Sequence, residues 1–236
     1  MTDSVQNDRP GDASIVNLRV PAHAFEDSLD KKFLFENMNV TLSKGQFVCV
    51  MGRSGVGKST LIKLLAGLMS LPPGSHRKVP THHDGRDKIA LLAQDPAVPP
   101  WLSVLKCVTL GSRLRGEIPN INEAKALLRD VGLADVVQHP AHTLSGGMKQ
   151  RVALARTLYE DADLVLLDEP FSALDTLTRI DMQSLTKRLL MGKTVFMITH
   201  DPDEALAMTE CIYVLQNGRL RSPKNPIKSE IIKLLN

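Results

Sequence analysis

Gly52-Arg53-Ser54-Gly55-Val56-Gly57-Lys58-Ser59-Thr60 decides how this chain is read. It fits the pattern G-x-x-x-x-G-K-[ST], follows directly on the strand-like run Gln46–Met51, and opens an apolar-periodic helix predicted over Leu61–Leu68. Glycines at these positions let successive backbone N–H groups wrap around phosphate oxygens. The helix N-terminus adds partial positive charge, and Lys58 directs a full charge toward the β- and γ-phosphates. Ser59 is placed to bind Mg²⁺. The flanking strand and helix weigh against the alternative, a glycine-rich turn that merely packs tightly.

Two further stretches extend this reading. Leu164-Val165-Leu166-Leu167-Asp168-Glu169 is a buried-strand run ending in two acids. There Asp168 can hold the metal through water and Glu169 can reach the attacking water, although a helix cap or a turn would also place a carboxylate pair after a strand. Leu144-Ser145-Gly146-Gly147-Met148-Lys149-Gln150-Arg151 starts a second helix, with Val152, Ala155 and Tyr159 at helical spacing from Met148. Ser145 can cap that helix, and Gly146 and Gly147 let a ligand approach its backbone N–H groups. The same anion-binding physics thus occurs twice in one chain, although a serine and two glycines before a helix are, taken alone, usually an ordinary cap.

Around these motifs, strand-type runs are predicted at Ile15–Val20, Lys88–Leu92, Asp163–Leu167, Thr194–Ile198 and Cys211–Leu215, with helical patterns between several of them. That alternation predicts an α/β protein with a largely parallel sheet. Between Gln94 and Gly146 the pattern turns helical, with helices predicted over Leu102–Leu114 and Glu123–Val131, so a helical lobe inserted in the α/β core is expected. Leu71 to Asp87 carries too many breakers for a long element and is read as a surface loop with room for a short hairpin.

Composition sets the outer bounds. Of 236 residues, 43% are hydrophobic and 23% charged, the balance of an ordinary globular protein rather than a disordered one. The 29 basic and 26 acidic residues nearly cancel to +3, so no nucleic-acid-sized positive field is implied. Cys49, Cys107 and Cys211 are odd in number and form no C-x-x-C pair, which argues for reduced, structural thiols in a cytosolic setting. The apolar runs are strand-length, far below the roughly 20 residues that span a bilayer. The polar, acidic start from Met1 to Asp12 lacks the pattern of a secretory signal and is read as a frayed tail. His76, His82 and His83 share a loop, but without cysteines or regular ligand spacing they are not taken as a metal site.

With its phosphate loop, its Leu144–Arg151 octapeptide and its Asp168-Glu169 pair in family order, the sequence resembles the nucleotide-binding subunits of ATP-binding cassette (ABC) transporters from about Ile15 to about Leu220. The resemblance implies the α/β P-loop NTPase core of an ABC ATPase, with a parallel-sheet lobe, an antiparallel β portion and a helical lobe inserted at about residues 95–150. Residues 1–14 would be a flexible tail and 15–236 the ATP-binding domain. It implies four assignments: Gln94 as the Q-loop glutamine that contacts Mg²⁺ and links the lobes, Ser172-Ala173-Leu174-Asp175 as the D-loop, His200 as the switch histidine, and an aromatic near Phe25 stacking on adenine. Phe33 and Phe35 compete with Phe25 for that last role but are better placed as core residues. Alone, Gln94 or His200 would be an ordinary polar group at a strand end; their order and spacing overturn that.

The two anion sites lie in different lobes while one nucleotide has one γ-phosphate for both to recognise, which composition does not resolve. The resemblance implies a head-to-tail pair of copies. Each ATP would lie between the phosphate loop of one copy and Ser145, Gly146 and Gly147 of the other, with Asp175 nearby. Glu169 would polarise the attacking water, while Lys58, Mg²⁺ and His200 stabilise the transferred phosphoryl group. The resemblance further implies a membrane permease whose cytoplasmic helix docks beside the Q-loop, an indirect solute-binding partner, and a peripheral place on the cytoplasmic face of a bacterial inner membrane. Gln94-Asp95-Pro96, Pro100-Trp101-Leu102-Ser103-Val104-Leu105 and Met148 look like the importer group for nitrate, sulfonate, taurine and pyrimidine precursors. Trp101 fits either a core position in the helical lobe or a docking contact. Ala93 and Lys106-Cys107-Val108 depart from the family pattern near that surface, and the chain's end at Asn236 leads to the expectation of no built-in substrate sensing.

The rival functions are a soluble ABC ATPase acting on nucleic acid or ribosomes, an exporter ATPase, a P-loop kinase or GTPase, and a nucleotide-gated module without hydrolysis. The charge balance, the Leu144–Arg151 octapeptide, the missing Asn-Lys-x-Asp run and the intact Glu169 and His200 argue against the others, and the exporter is set aside by the importer-type resemblance and the separate, short polypeptide.

Overall fold

The computed structural model describes residues 14–21, 23–24, 33–160 and 162–235. In chain order its strands and helices are β1 (Ser14–Val20), β2 (His23–Ala24), β3 (Phe33–Phe35), β4 (Met38–Ser43), β5 (Phe47–Met51), α1 (Lys58–Leu65), β6 (His76–Lys78), β7 (Ile89–Leu92), α2 (Val104–Val108), α3 (Leu110–Leu114), α4 (Ile121–Asp130), α5 (Gly146–Tyr159), β8 (Leu164–Asp168), α6 (Thr176–Leu189), β9 (Thr194–Ile198), α7 (Pro202–Met208), β10 (Ile212–Gln216), β11 (Arg219–Arg221) and α8 (Lys228–Leu235). All but the last residue of the tail expected at 1–14 lies outside the described residues.

The main sheet has the order β11-β10-β5-β9-β8-β7. The pairs β10/β5, β5/β9, β9/β8 and β8/β7 are all parallel, and β11 closes one edge in antiparallel fashion. The inner strands are largely apolar because both faces are covered, with Asp168, Thr194 and Gln216 as polar exceptions at strand ends. Alternation with period two assigns the faces. Val48, Val50, Leu164, Leu166, Phe196 and Ile198 enter one core with α1 and the strands β1 and β4. Cys49, Met51, Val165, Leu167, Val195 and Met197 enter the other, with α2, α4, α5 and α6. A separate three-stranded sheet, β4-β1-β6, is wholly antiparallel.

The parallel direction has one consequence for function. The C-terminal ends of β5, β7, β8 and β9 all lie at the same edge of the sheet, where open α/β sheets bind ligands. The residues that follow those strands are Gly52, Ala93 and Gln94, Glu169, and Thr199 and His200.

Three expectations shift. The helix after the phosphate loop runs from Lys58 to Leu65, three residues earlier at both ends than the predicted frame. Gly67 adopts φ +70° there, and the N–H groups of Gly67 and Leu68 return to Leu64 and Lys63, a left-handed stop that only glycine reaches cheaply. The helix expected over Leu102–Leu114 is divided at Thr109, whose hydroxyl donates to the Leu105 carbonyl (3.1 Å) and competes with the ladder. In the Leu71–Asp87 loop, His76–Lys78 is recruited by β1, and the turn beyond it closes only at the isolated bridge Thr81–Asp87. Long-range pairing of this kind leaves no local signal.

Candidate functional site

The phosphate loop is shaped by backbone. Gly55 and Gly57 have φ +78° and +104°, and a Cβ on Gly57 would press on Leu34 at 3.0 Å. Gly52 is held closer still, since a Cβ there would lie 2.8 Å from the Leu215 carbonyl oxygen. Inside this loop the buried Lys58 ammonium donates to the carbonyls of Gly52 (2.8 Å) and Arg53 (3.0 Å). Burial lowers its pKa, and the nearby charges of Glu169 and Asp168 partly restore it. Arg53, Ser54 and Gly55 are exposed, whereas Val56, Gly57, Ser59 and Thr60 are half-buried.

Asp168, the last residue of β8, is 6% exposed. Burial raises its pKa, a hydrogen bond from the Ser59 hydroxyl lowers it, and the adjacent Glu169 raises it again. Its Oδ1 is buried without a hydrogen-bond partner. An unpartnered, desolvated carboxylate oxygen beside a serine hydroxyl is a donor set that suits a hard divalent cation, so Ser59 and Asp168 fit the Mg²⁺ expected between them.

Glu169 takes φ +48°, a left-handed conformation that costs a non-glycine residue roughly 1–2 kcal/mol. The turn is held because its N–H donates to Ile198 (2.9 Å) and its carbonyl accepts the N–H (3.3 Å) and hydroxyl (3.1 Å) of Ser172. The carboxylate thereby leaves the strand line and meets two other residues: Gln94 Nε2 donates to Oε2 (3.4 Å), and His200 Nδ1 lies 3.2 Å from Oε1. Lys58, Ser59, Gln94, Asp168, Glu169 and His200 form one connected group. His200 is 63% exposed and Gln94 is also open to solvent, so this side of the group faces solvent.

The other helix start is built differently. Ser145 Oγ accepts the Met148 N–H (3.3 Å) as the cap of α5, while Ser145 and Gly146 stand exposed and no atom lies within 4 Å of a Cβ on Gly146. A Cβ on Gly147 would sit 3.3 Å from the Ala173 carbonyl, so this turn borders the segment ending in Asp175. Asp175 caps α6 through the Thr178 N–H (3.1 Å), and its hydrogen bonds to Thr178 lower its pKa. Phe25 lies outside the described residues.

Sequence reasoning missed the residues that hold these loops in place. Arg156 of α5 donates to the Pro96 (3.0 Å) and Ala97 (3.1 Å) carbonyls, pinning the loop after Gln94 where Ala97 takes φ +43°. The buried Gln150 of α5 donates to the Pro170 carbonyl (2.9 Å), directly after Glu169. A polar residue facing inward on an otherwise apolar helix stripe was the signal for both. Trp101, open to two readings in the sequence, is 79% exposed, which overturns the core reading.

Residues 35–172 match the family model described as ABC transporter. A Delftia acidovorans protein named as an aliphatic sulfonates import ATP-binding protein is 40% identical over 214 residues, covering 90% of this chain and 84% of its own length. An ABC transporter ATP-binding protein of Haemophilus influenzae is 45% identical over 186 residues, covering 78% of this chain and 76% of its own. A solved ATP-binding cassette, described as a dimer in a post-hydrolysis state bound to ADP and Pi, superposes with a TM-score of 0.77 at 29% identity, covering 90% of this chain and 99% of that one.

Proposed function

The chain belongs to the ABC transporter family, as an ATP-hydrolysing import subunit, and from that premise we propose that two copies close head to tail on ATP beneath a separate permease to drive uptake of a small sulfonate-type solute. The observation that carries the chemical part is the contact of Glu169 with both Gln94 and His200 at the mouth of a loop that holds Lys58. A carboxylate so placed can accept a proton from water, while the lysine and the imidazole offer donors where phosphoryl charge develops. ATP phosphates would take over the lysine donors now given to the Gly52 and Arg53 carbonyls. Bound Mg²⁺ would be held by Ser59 and Asp168, with Gln94 within the same group, and would neutralise charge on the β- and γ-phosphates.

The dimer is supported by the half-site character of Ser145, Gly146 and Gly147, and by the relative described as dimeric. Asp175 would border that interface. No helix among the described residues is long and apolar enough to cross a membrane, so coupling to transport requires a partner that does. The cytoplasmic face of the inner membrane is the corresponding location. Trp101, exposed in the segment after Gln94, is the residue proposed to anchor that partner. Sulfonate is preferred over nitrate or a pyrimidine precursor because the relatives covering most of the chain carry that name.

The test measures ATP binding and turnover of the purified chain and of Glu169→Gln. Parental turnover, with a loss of about 10²–10⁴-fold in the variant and ATP binding retained, is the expected outcome. Equal turnover in both proteins would sink the role of Glu169. Co-purification of a multi-span permease from gently solubilised membranes tests the transport half.

A further inference from the structure

Arg179, one turn into α6, touches two loops at once. Its Nη2 donates to the Leu174 carbonyl (2.9 Å), in the segment whose Ala173 carbonyl borders Gly147. Its Nη1 faces Asp201 Oδ2 at 3.9 Å, in the residue directly after His200. Asp201 cannot drift independently, because its Oδ1 caps α7 through the N–H groups of Asp203 (2.9 Å) and Glu204 (3.4 Å). Its own N–H donates to the buried Thr199 hydroxyl (3.1 Å), and that hydroxyl in turn bonds the Glu204 carboxylate. A polar chain therefore runs from the Leu174 segment, which borders the start of α5, through Arg179 and Asp201 to the backbone that carries His200.

The same cluster holds an unmatched donor and an unmatched acceptor. Arg179 Nε and Glu204 Oε1 are both buried without hydrogen-bond partners. A buried polar atom without a partner works against folding, so the cluster is not at its hydrogen-bonding optimum in this arrangement. Glu204 is 5% exposed and faces Cys49 of β5, Arg179 of α6, and Thr199, His200 and Asp201 of the loop after β9. The guanidinium thus divides itself between the Leu174 carbonyl and Asp201, with the Glu204 carboxylate within its electrostatic reach.

We infer that Arg179 is a positioning residue for ATP hydrolysis, which sets the Leu174 segment and the His200 loop as one unit so that closure on the partner copy and placement of the imidazole occur together. The inference rests on the ATPase reading above. It concerns neither the binding of ATP nor the groups that touch it, since Arg179 acts only through Leu174 and Asp201.

The test is a steady-state kinetic cycle on the full chain with ATP and Mg²⁺, using Arg179→Ala, Asp201→Asn and the double variant. Asn retains a side-chain oxygen for the α7 cap while removing the charge that faces Arg179. The expected result is a fall in kcat of about 10–100-fold for Arg179→Ala, the size that misplacement by about 1 Å produces, with KM for ATP within about threefold of the parent. The double variant should lose no more than the worse single one, because both remove the same link. Should Arg179→Ala fail to melt cooperatively, Arg179→Gln, which keeps a donor for Leu174, replaces it in the cycle. An unchanged kcat, a KM that rises in step with the loss, or losses that multiply in the double variant would each overturn the inference. A parent without ATP turnover would overturn the functional reading and this inference with it; a parent that turns over beside an unaffected Arg179→Ala overturns this inference alone.

Discussion

The two helix starts proposed to bind anions obey the same physics and have opposite surroundings. At the start of α1, Lys58 is buried, its ammonium is bonded to Gly52 and Arg53, and the carboxylates of Asp168 and Glu169 close the other side. At the start of α5, Ser145 and Gly146 face solvent, with no charged side chain bonded to them. The first is a site whose groups contact one another; the second offers backbone donors and nothing to complete them. The difference teaches that helix-terminus geometry alone does not make a catalytic centre. What makes the first one chemical is the edge of a parallel sheet, which delivers residues from four strands to one place.

The sharpest way to break this contrast is complementation. Lys58→Ala should weaken ATP binding by about 10²-fold or more, because it removes a buried charge from the phosphate loop. Gly147→Glu should leave the phosphate loop of its own chain intact, while placing a side chain against Ala173 and a negative charge where a phosphate would approach. Each variant alone should be nearly inactive as a homodimer. Mixed, they contain pairs in which one phosphate loop and one Ser145–Gly147 turn are both intact, so turnover should return to a measurable fraction of the parent. If the mixture stays as inactive as its components, the two helix starts do not form a composite site.

Most of the first region was legible in the sequence, and for an identifiable reason. The phosphate loop, Asp168-Glu169 and His200 lie directly after apolar strand runs, and strand order in a parallel sheet brings such ends together. The bend at Glu169 was not legible, since nothing in Leu167-Asp168-Glu169 announces φ +48°; it follows from bonds to Ile198 and Ser172. The division of the helical segment at Thr109 and the recruitment of His76–Lys78 by β1 were hidden for the same reason, being decided by contacts distant in sequence or by a side chain competing with its own backbone. Arg156, Gln150 and Arg179 escaped because arginines and a glutamine on amphipathic helices ordinarily mark a solvated face. Here they reach carbonyls of neighbouring loops.

A smaller effect depends on pH. Burial pushes the Glu204 carboxyl up to about 7, against a hydrogen bond from Thr199 that lowers it. A carboxyl whose folded pKa exceeds its unfolded value binds its proton more tightly in the native state. Its contribution is therefore favourable at low pH and is lost as pH rises from the unfolded value, about 4.5, through about 7. Glu204→Gln removes this titration, so its melting temperature relative to the parent should rise between pH 5 and pH 8, by the equivalent of a few kcal/mol at most. Asp168, also raised by burial, contributes the same sign in both proteins and cancels in the difference. A constant offset between parent and variant across that range would show that Glu204 is not the group that titrates.

The smallest expected effect belongs to an exposed tryptophan. Trp101 is 79% exposed, so truncating it removes little that folding has buried. Trp101→Ala should leave unfolding free energy within about 0.5 kcal/mol of the parent, measured by urea denaturation. The backbone around it is held independently: Leu102 donates to Pro99 (3.2 Å), and the Pro100 carbonyl accepts the His142 N–H (3.2 Å) while lying 3.1 Å from the ring Nδ1 of the same residue. Because neither fold nor phosphate loop depends on the indole, any loss that does appear must be read out elsewhere. Retention on membranes that contain the partner permease is the place to look, since an exposed tryptophan is a common anchor of an interface. An unchanged denaturation curve together with lost membrane retention would assign the indole to docking, whereas a destabilisation of about 2 kcal/mol or more would return it to the core.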